Sequence, residues 1–345
     1  MYKSFLRPLL FRMNAESAHN LILSILRMFK KFPIIRAFVR LLFKYESPKL
    51  HRNVFGINFP NPVGLSAGMD KNGKCYNEFA DFGFGFVEIG SLTPKPQTGN
   101  PCPRIFRLPK DRAIINRMGM NNEGILSAIS NLKNDHPEVI IAASISKNTT
   151  SQEEQITRDY EYAFSMLYDF VDMFVVNVSC PNVAGVTALQ EPSFISDIID
   201  PILNRRTCMD KYKPILIKVS LDLEYDSLDD MLSYAMRSGV DGIVIGNTSN
   251  SRTGLETPQN ELDKIGKGGL SGAPLYKKSL EMVKYVYNKT CGRLPIIGVG
   301  GIMSEKQAYE MLNSGASLIE IYSGFIYEGP SFVKRILKYL SKKNK

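Results

Sequence analysis

An eight-stranded parallel (β/α)8 barrel is the fold predicted for residues beyond about 60. Short β-rich apolar runs recur there between helical patterns, the alternation that gives a parallel sheet with crossover helices. Eight such runs fill about 250 residues, the usual extent of the barrel, and glycine or polar residues bunch just after them, where a barrel gathers its site. An open doubly wound sheet is the alternative. The eight predicted strands are Pro62–Ala67, Gly85–Ile89, Val139–Ser144, Met173–Val178, Ile215–Val219, Gly242–Ile245, Pro295–Val299 and Leu318–Tyr322. Ahead of them, Asn53–Pro60 (NVFGINFP) reads as a small hairpin closing the barrel floor.

The first 48 residues form a different unit, and residues 49–345 carry the barrel. A helix starts after Asn14 and places Ala18, Leu21, Ile22, Ile25, Leu26 and Phe29 on one face; a second follows Pro33 with Ile34, Ile35, Phe38, Leu41 and Leu42. The net charge of +9 comes entirely from this end: residues 1–52 hold eleven Lys/Arg against Glu16 and Glu46, and the remainder holds thirty-two of each sign. Neither helix reaches the roughly 18 uncharged apolar residues of a membrane span. Basic, apolar-faced helices match interfacial association with an anionic membrane surface; simple docking on the barrel is the alternative reading.

The five cysteines show no CxxC or zinc-like spacing, and with three histidines in 345 residues no metal site is expected. The chain reads as reduced and intracellular. No GxGxxG opens a βαβ unit and no P-loop is present, which excludes a Rossmann dinucleotide site and a nucleoside triphosphatase. Gly298-Val299-Gly300-Gly301 follows the seventh predicted strand and Tyr322-Ser323-Gly324 the eighth, where barrels bind phosphate. The phosphate is read as that of FMN. Lys71 and Lys218, at strand ends, suit a cation near the ring of a reduced flavin. In Asn177-Val178-Ser179-Cys180-Pro181-Asn182, two amides flank a thiol. Such a pair can hold a planar polar ligand over a proton-transfer group, although Asn, Ser and Pro also make turns.

Eight segments carry a resemblance that extends over nearly the whole chain: NPVGLSAGMDKNG (61–73), GFGFVEIGSLTPKPQTGNP (83–101), PRIFRL (103–108), INRMGMNN (115–122), NVSCPN (177–182), GGLSGAPL (268–275), RLPIIGVGGI (293–302) and GASLIEIYSGFIYEGP (315–330). The chain resembles the dihydroorotate dehydrogenases of the membrane-associated, quinone-reducing class 2, whose N-terminal extension is matched by MYKSFLRPLLFRMNAESAH. The resemblance implies oxidation of dihydroorotate to orotate in pyrimidine biosynthesis, with peripheral attachment to the cytoplasmic side of the inner membrane. It implies flavin contacts at Ala67, Gly68, Lys71, Ser91, Ser144, Asn177, Lys218, Gly246, Gly272, Gly301, Tyr322 and Ser323. Substrate would meet Lys71, Asn116, Arg117, Met118, Gly119, Met120, Asn177, Asn182, Asn247 and Thr248, and the quinone His19, Arg107 and Tyr322.

Lys71 and Cys180 are the expected catalytic pair. Cys180 departs from the class 2 pattern, which has serine as base, and is the class 1 choice. Val183 stands for a threonine, Met120 for a phenylalanine, and Ser144 and Gly246 for Asn and Thr. Cysteine ionises near 8.5, so a thiol base needs less help than a hydroxyl. Alternatives are a soluble acceptor such as fumarate, suggested by Cys180, and an RNA-modifying flavoprotein like a tRNA dihydrouridine synthase. Against the latter, no basic aromatic helical domain follows the barrel; neither nucleic acid nor a protein partner is expected.

Overall fold

The computed structural model describes residues 2–134, 138–179 and 192–343. The hairpin strands β1 (Arg52–Val54) and β2 (Ile57–Phe59) precede β3 (Val63–Leu65) and β4 (Phe86–Leu92). Then come β5 (Ile105–Leu108), β6 (Ala113–Asn116), β7 (Ile140–Ile145), β8 (Met173–Asn177), β9 (Ile215–Val219) and β10 (Gly242–Ile245). The last are β11 (Gly269–Gly272), β12 (Ile296–Val299) and β13 (Leu318–Ile321). Strands β3, β4, β7, β8, β9, β10, β12 and β13 form a closed parallel barrel. These are the eight predicted strands, two with the predicted bounds and the others with ends moved by at most three residues. Pairing of β13 with β3, Ile319 opposite Val63 and Ile321 opposite Leu65, rules out the open sheet.

The lower interior is apolar. The expected hairpin packs Val54 and Phe59 among Phe86, Val175, Leu216 and Val244, with Phe59 edge-on to Phe86 at 5.4 Å between centroids. Large and small residues alternate around this layer: a Cβ on Gly64 would lie 2.2 Å from the Phe86 ring, so glycine is what admits phenylalanine on the next strand.

One element had no counterpart in the sequence reading. Strands β5, β6 and β11 make a three-stranded antiparallel sheet in the order β11-β6-β5. Each has four residues, and β11 is the glycine-rich GLSG, so no alternation marks it as a strand. Its Gly269 is required by packing, since a Cβ there would meet Thr248 Oγ1 at 2.0 Å.

After a π-helical turn at Tyr2–Leu6, α1 (Arg7–Arg12), α2 (Ala15–Phe29) and α3 (Pro33–Phe43) form the N-terminal group. Asn14 caps α2 as expected, its Oδ1 accepting the N–H groups of Glu16 (3.0 Å) and Ser17 (3.2 Å). Helix α2 is tied to the barrel side by Arg104, whose Nη2 donates to Glu16 at 2.6 Å. Helix α3 turns its two arginines toward the protein. Arg36 donates to buried Asp81 through Nε at 2.7 Å and Nη2 at 3.2 Å, and Arg40 pairs with both Asp81 and Glu138. Meanwhile Ile34 is 85% exposed, Phe38 59% and Leu41 76%. Arg36 and Arg40 thus face the protein beside Val39 and Phe43, which pack on the core with Phe43 5.5 Å from the Phe82 ring, while the remaining apolar residues face out. Among the described residues no helix is long and apolar enough to cross a membrane.

Asp81 therefore supplies the ionic part of the docking of α3, beside the apolar contacts of Val39 and Phe43. Asp81→Asn should weaken that docking by about 2–4 kcal/mol, because two arginines lose a buried anion. The expected readout is faster tryptic cleavage after Lys30, Lys31 and Lys44 with little change in the thermal midpoint of the barrel; unchanged cleavage would show that apolar contacts alone hold the helix.

Candidate active site

A cavity of about 460 Å³ begins at the carboxyl ends of the barrel strands and continues between the N-terminal helices. At the barrel end it is lined by Lys71, Asn116, Asn177, Lys218, Asn247 and Tyr322; at the other by Leu10, Phe11, Ala18, His19, Ile22 and Leu26. The polar mouth and the apolar passage are thus one space.

Hydrogen bonds cross four strand ends at the mouth. Ser144 Oγ lies 2.9 Å from Ser91 Oγ, and Asn177 Nδ2 donates to Ser91 Oγ at 2.8 Å. Asn177 Oδ1 accepts from Ser179 N at 3.2 Å, and Asn247 Nδ2 donates to Ser179 Oγ at 2.9 Å. Asn247 Oδ1 in turn accepts the Thr248 N–H at 2.8 Å. Each amide is locked in one orientation by this chain, which pre-organises donors and acceptors for a flat polar ligand.

A charged group forms the floor. Lys218 Nζ is 2.7 Å from Glu88 Oε2 and 3.7 Å from Glu320 Oε2, all three side chains being at most 5% exposed. Burial works against charge on each of them. It raises Glu320 well above the ordinary carboxylate range, and the Glu88 charge raises it further. Against the same burial, Lys218 brings Glu88 below its ordinary value, and Glu88 and then Glu320 raise Lys218.

Across the mouth, Gly272, Gly300, Gly301 and Gly324 line the cavity beside Ser271 and Ser323, whose hydroxyls are 2.9 Å apart. Gly301 has φ +68°, and a Cβ there would strike Tyr276 N at 2.5 Å. Bare backbone and two hydroxyls fit a phosphate, and the amide chain and Lys218 fit an isoalloxazine edge, so the residues present suit a flavin nucleotide.

Of the residues expected from the sequence, Ala67, Gly68, Lys71, Ser91, Asn177, Lys218, Gly246, Gly272, Gly301, Tyr322 and Ser323 line this cavity. So do Asn116, Met118, Gly119, Met120, Asn247 and Thr248, together with His19 and Arg107. Ser144 lies one shell back, reaching the cavity through Ser91. Arg117 is not among the lining residues: it stacks on Phe106 at 4.7 Å and donates to the carbonyls of Ile265, Lys267 (3.3 Å) and Pro103 (3.2 Å). Cys180, Asn182 and Val183 lie outside the described residues. Glu88, Glu320 and Ser271 were missed; within FVEIGS and SLIEIYS an acidic residue looks like one polar step of an alternating strand. Among the described residues no group of three His, Cys, Asp or Glu side chains could hold a metal ion.

In the passage, Arg107 Nη1 donates to the carbonyls of Met13 (2.8 Å) and Phe11 (3.4 Å) and its guanidinium sits 4.7 Å from the Phe11 ring. It both caps the end of α1 and lines the space. Burial pushes the Tyr322 phenol up to about 12.

Fold and site together define an oxidoreductase of the (β/α)8 class. The family described as dihydroorotate dehydrogenase matches residues 49–343. The chain is 43% identical to the dihydroorotate dehydrogenase (quinone) of Christiangramia forsetii over 97% of both chains, and 40% identical to that of Coxiella burnetii over 99% of this chain and 97% of the other. Crystal structures of DHODH from Eimeria tenella superpose with TM-scores of 0.84 (with ferulenol, 31% identity, 95% of this chain and 91% of that one) and 0.85 (ligand-free, 30% identity, 95% and 94%). The chain belongs to the dihydroorotate dehydrogenase family, in its quinone-dependent class 2, and membership implies a flavin cofactor.

His19 supplies a pH-dependent test of the passage. Burial, and next the Lys71 charge, push its imidazole down from 6.5 to about 4, with Glu16 opposing. A depressed histidine binds its proton less readily in the folded state. Its contribution to stability is therefore complete above about pH 6.5 and is lost as pH falls through about 4, by at most about 3 kcal/mol. His19→Gln should flatten the unfolding free energy between those pH values; a curve as steep as the parent's would show that His19 is not held neutral.

Proposed function

We propose that this chain oxidises (S)-dihydroorotate to orotate with FMN as cofactor, passing the electrons to a membrane quinone in the synthesis of UMP. On this reading residues 1–48 provide membrane attachment and quinone access and residues 49–345 the FMN-binding barrel, with no protein partner required. The protein sits peripherally on the cytoplasmic side of the inner membrane. The observation that carries the reading is the single cavity joining a polar barrel mouth to an apolar passage between helices. A polar substrate and a long apolar acceptor can reach one cofactor from opposite ends.

FMN, when bound, supplies the acceptor for the C6 hydride of dihydroorotate and the route by which its electrons reach the quinone. The work of the chain is to hold, orient and deprotonate. Asn116, Asn177, Asn182 and Asn247 with Thr248 read the carboxylate, carbonyl and N–H groups of the substrate ring, and Lys71 offers a cation to the charge that develops. The phosphate rests on Gly272, Gly301 and Ser323. Cys180 takes the C5 proton as thiolate; the preceding Ser179 is fixed, its N–H donating to Asn177 Oδ1 and its hydroxyl accepting from Asn247 Nδ2. His19, Arg107 and Tyr322 border the quinone.

Attachment follows from the outward face of α3. With Ile34, Phe38 and Leu41 facing outward, burial in the acyl boundary removes apolar area from water while nearby lysines meet anionic headgroups.

Anaerobic mixing with dihydroorotate should bleach the flavin, and ubiquinone or menaquinone should restore the oxidised spectrum. Reoxidation by fumarate or NAD alone would overturn the quinone assignment. Replacing Ile34, Phe38 and Leu41 together by serine should abolish binding to anionic vesicles while leaving the flavin half-reaction intact; retained vesicle binding would place attachment elsewhere.

For Cys180, the rate of flavin reduction should rise with pH as thiolate is populated and level near the thiol's pKa in the complex. Cys180→Ala should bind orotate almost normally yet reduce flavin at least about a hundredfold more slowly. Cys180→Ser should retain less activity than the parent at neutral pH, since Val183 offers no hydroxyl relay. Stopped-flow bleaching across pH decides it: an alanine variant as fast as the parent at every pH removes Cys180 from the mechanism.

A further inference from the structure

Two carboxylates share one lysine under the polar end of the cavity. Glu88 projects from β4, Lys218 from β9 and Glu320 from β13, and Lys218 and Glu320 both line the space. If all three were ionised, a net negative charge would be sealed in a desolvated layer, an arrangement that neutralises itself by binding a proton. The partners of each carboxyl decide where the proton resides. Glu88 Oε2 accepts from Lys218 Nζ at 2.7 Å and from the Ala67 N–H at 3.0 Å, both of which favour its anion. Glu320 has the longer 3.7 Å approach of Lys218, with Ser66 a weaker neighbour and the Glu88 carboxyl beside it opposing its charge. Neither Glu320 oxygen, nor Glu88 Oε1, has a hydrogen-bond partner among the described residues.

We propose that Glu320 is a proton-holding residue that keeps the Lys218–Glu88–Glu320 floor electrically neutral beneath the flavin and presents a carboxylic O–H at the cavity wall. The inference rests on the reading of this cavity as a flavin site. With Glu320 neutral, Lys218 and Glu88 form a compensated pair. With Glu320 ionised, the excess negative charge would oppose the charge that the ring acquires on reduction. The proton is set by competition for one lysine: whichever carboxyl loses that partner protonates, and if Glu88 is removed, Glu320 takes over as the anion. The two carboxyls titrate as one system.

Infrared spectroscopy in H2O and D2O, with sulfite titration of the bound flavin, tests this on the holoenzyme. Sulfite adds to flavin N5 and leaves negative charge on the ring, so its affinity reports the charge of the floor. The parent should show a protonated-carboxyl C=O band that is absent from Glu320→Gln. The band should also be absent from Glu88→Gln, in which the Glu320 side chain is retained but becomes the partner of Lys218. Sulfite affinity of Glu320→Gln at pH 7 should stay within about twofold of the parent, because glutamine copies the neutral acid.

A tenfold or greater rise in sulfite affinity in Glu320→Gln, or a band that survives in Glu88→Gln, would overturn the proposal. A protein that purifies without flavin would instead overturn the cofactor reading, and the infrared comparison would still decide where the proton lies.

Discussion

Closure of the sheet by the β13–β3 pair is the constraint on which the rest of the molecule depends. Ile319, Glu320 and Ile321 register against Val63, Gly64 and Leu65, and this brings the last strand of the barrel beside the first. The neighbouring strands β4, β7 and β8 bring Ser91, Ser144 and Asn177 within hydrogen-bonding reach, and closure sets Glu320 of the last strand facing Lys218 across the interior. In an open sheet the first and last strands would be edges, and Glu320 would be far from Lys218. Backbone pairing is therefore what assembles the polar chemistry, and the apolar plug of Phe59 and Phe86 below fills the interior so that pairing can close without a void.

Rigidity at the mouth follows from the same geometry. Asn177 donates to Ser91, accepts from Ser179 and is approached by Asn247, so its amide cannot rotate without breaking bonds on three strands. Such a group meets a ligand with little loss of side-chain entropy. The floor is ordered by a different force. Lys218 is held by a charge-assisted hydrogen bond to Glu88 at 2.7 Å, with Glu320 as the second carboxyl of the same buried group. Fixed donors above and a titratable floor below suit a reaction in which ligand shape stays nearly constant while charge changes.

Legibility in the sequence divides along physical lines. The barrel strands were legible because parallel strands buried on both faces appear as continuous β-branched runs, and the polar residues behind them were legible because barrels collect their site at that rim. The β5–β6–β11 sheet was not, because pairs such as Leu270 and Ile115 lie far apart in sequence and four-residue strands carry no periodicity. Glu88 and Glu320 escaped for a related reason: alternation along one strand shows that a residue points inward, whereas a shared lysine is a property of three strands at once. Arg36 and Arg40 had an ambiguous appearance, since a basic residue on an amphipathic helix serves a lipid headgroup or a protein carboxylate equally well. Their partner Asp81 belongs to the barrel and decides between these.

That decision gives α3 its meaning. Two arginines bonded to a buried carboxylate share the inner face of the helix with Val39 and Phe43, and Ile34, Phe38 and Leu41 are left outside. Water around Ile34, Phe38 and Leu41 costs free energy that a membrane interface would recover. The helices before α3 wall the passage to the barrel mouth, with α2 lending Ala18, His19, Ile22 and Leu26 to its lining. The outward apolar residues of α3 and the apolar passage lined by α2 thus belong to one N-terminal group. Arg36 and Arg40 on Asp81, with Val39 and Phe43 on the core, hold α3 to the barrel, and this leaves Ile34, Phe38 and Leu41 free of it.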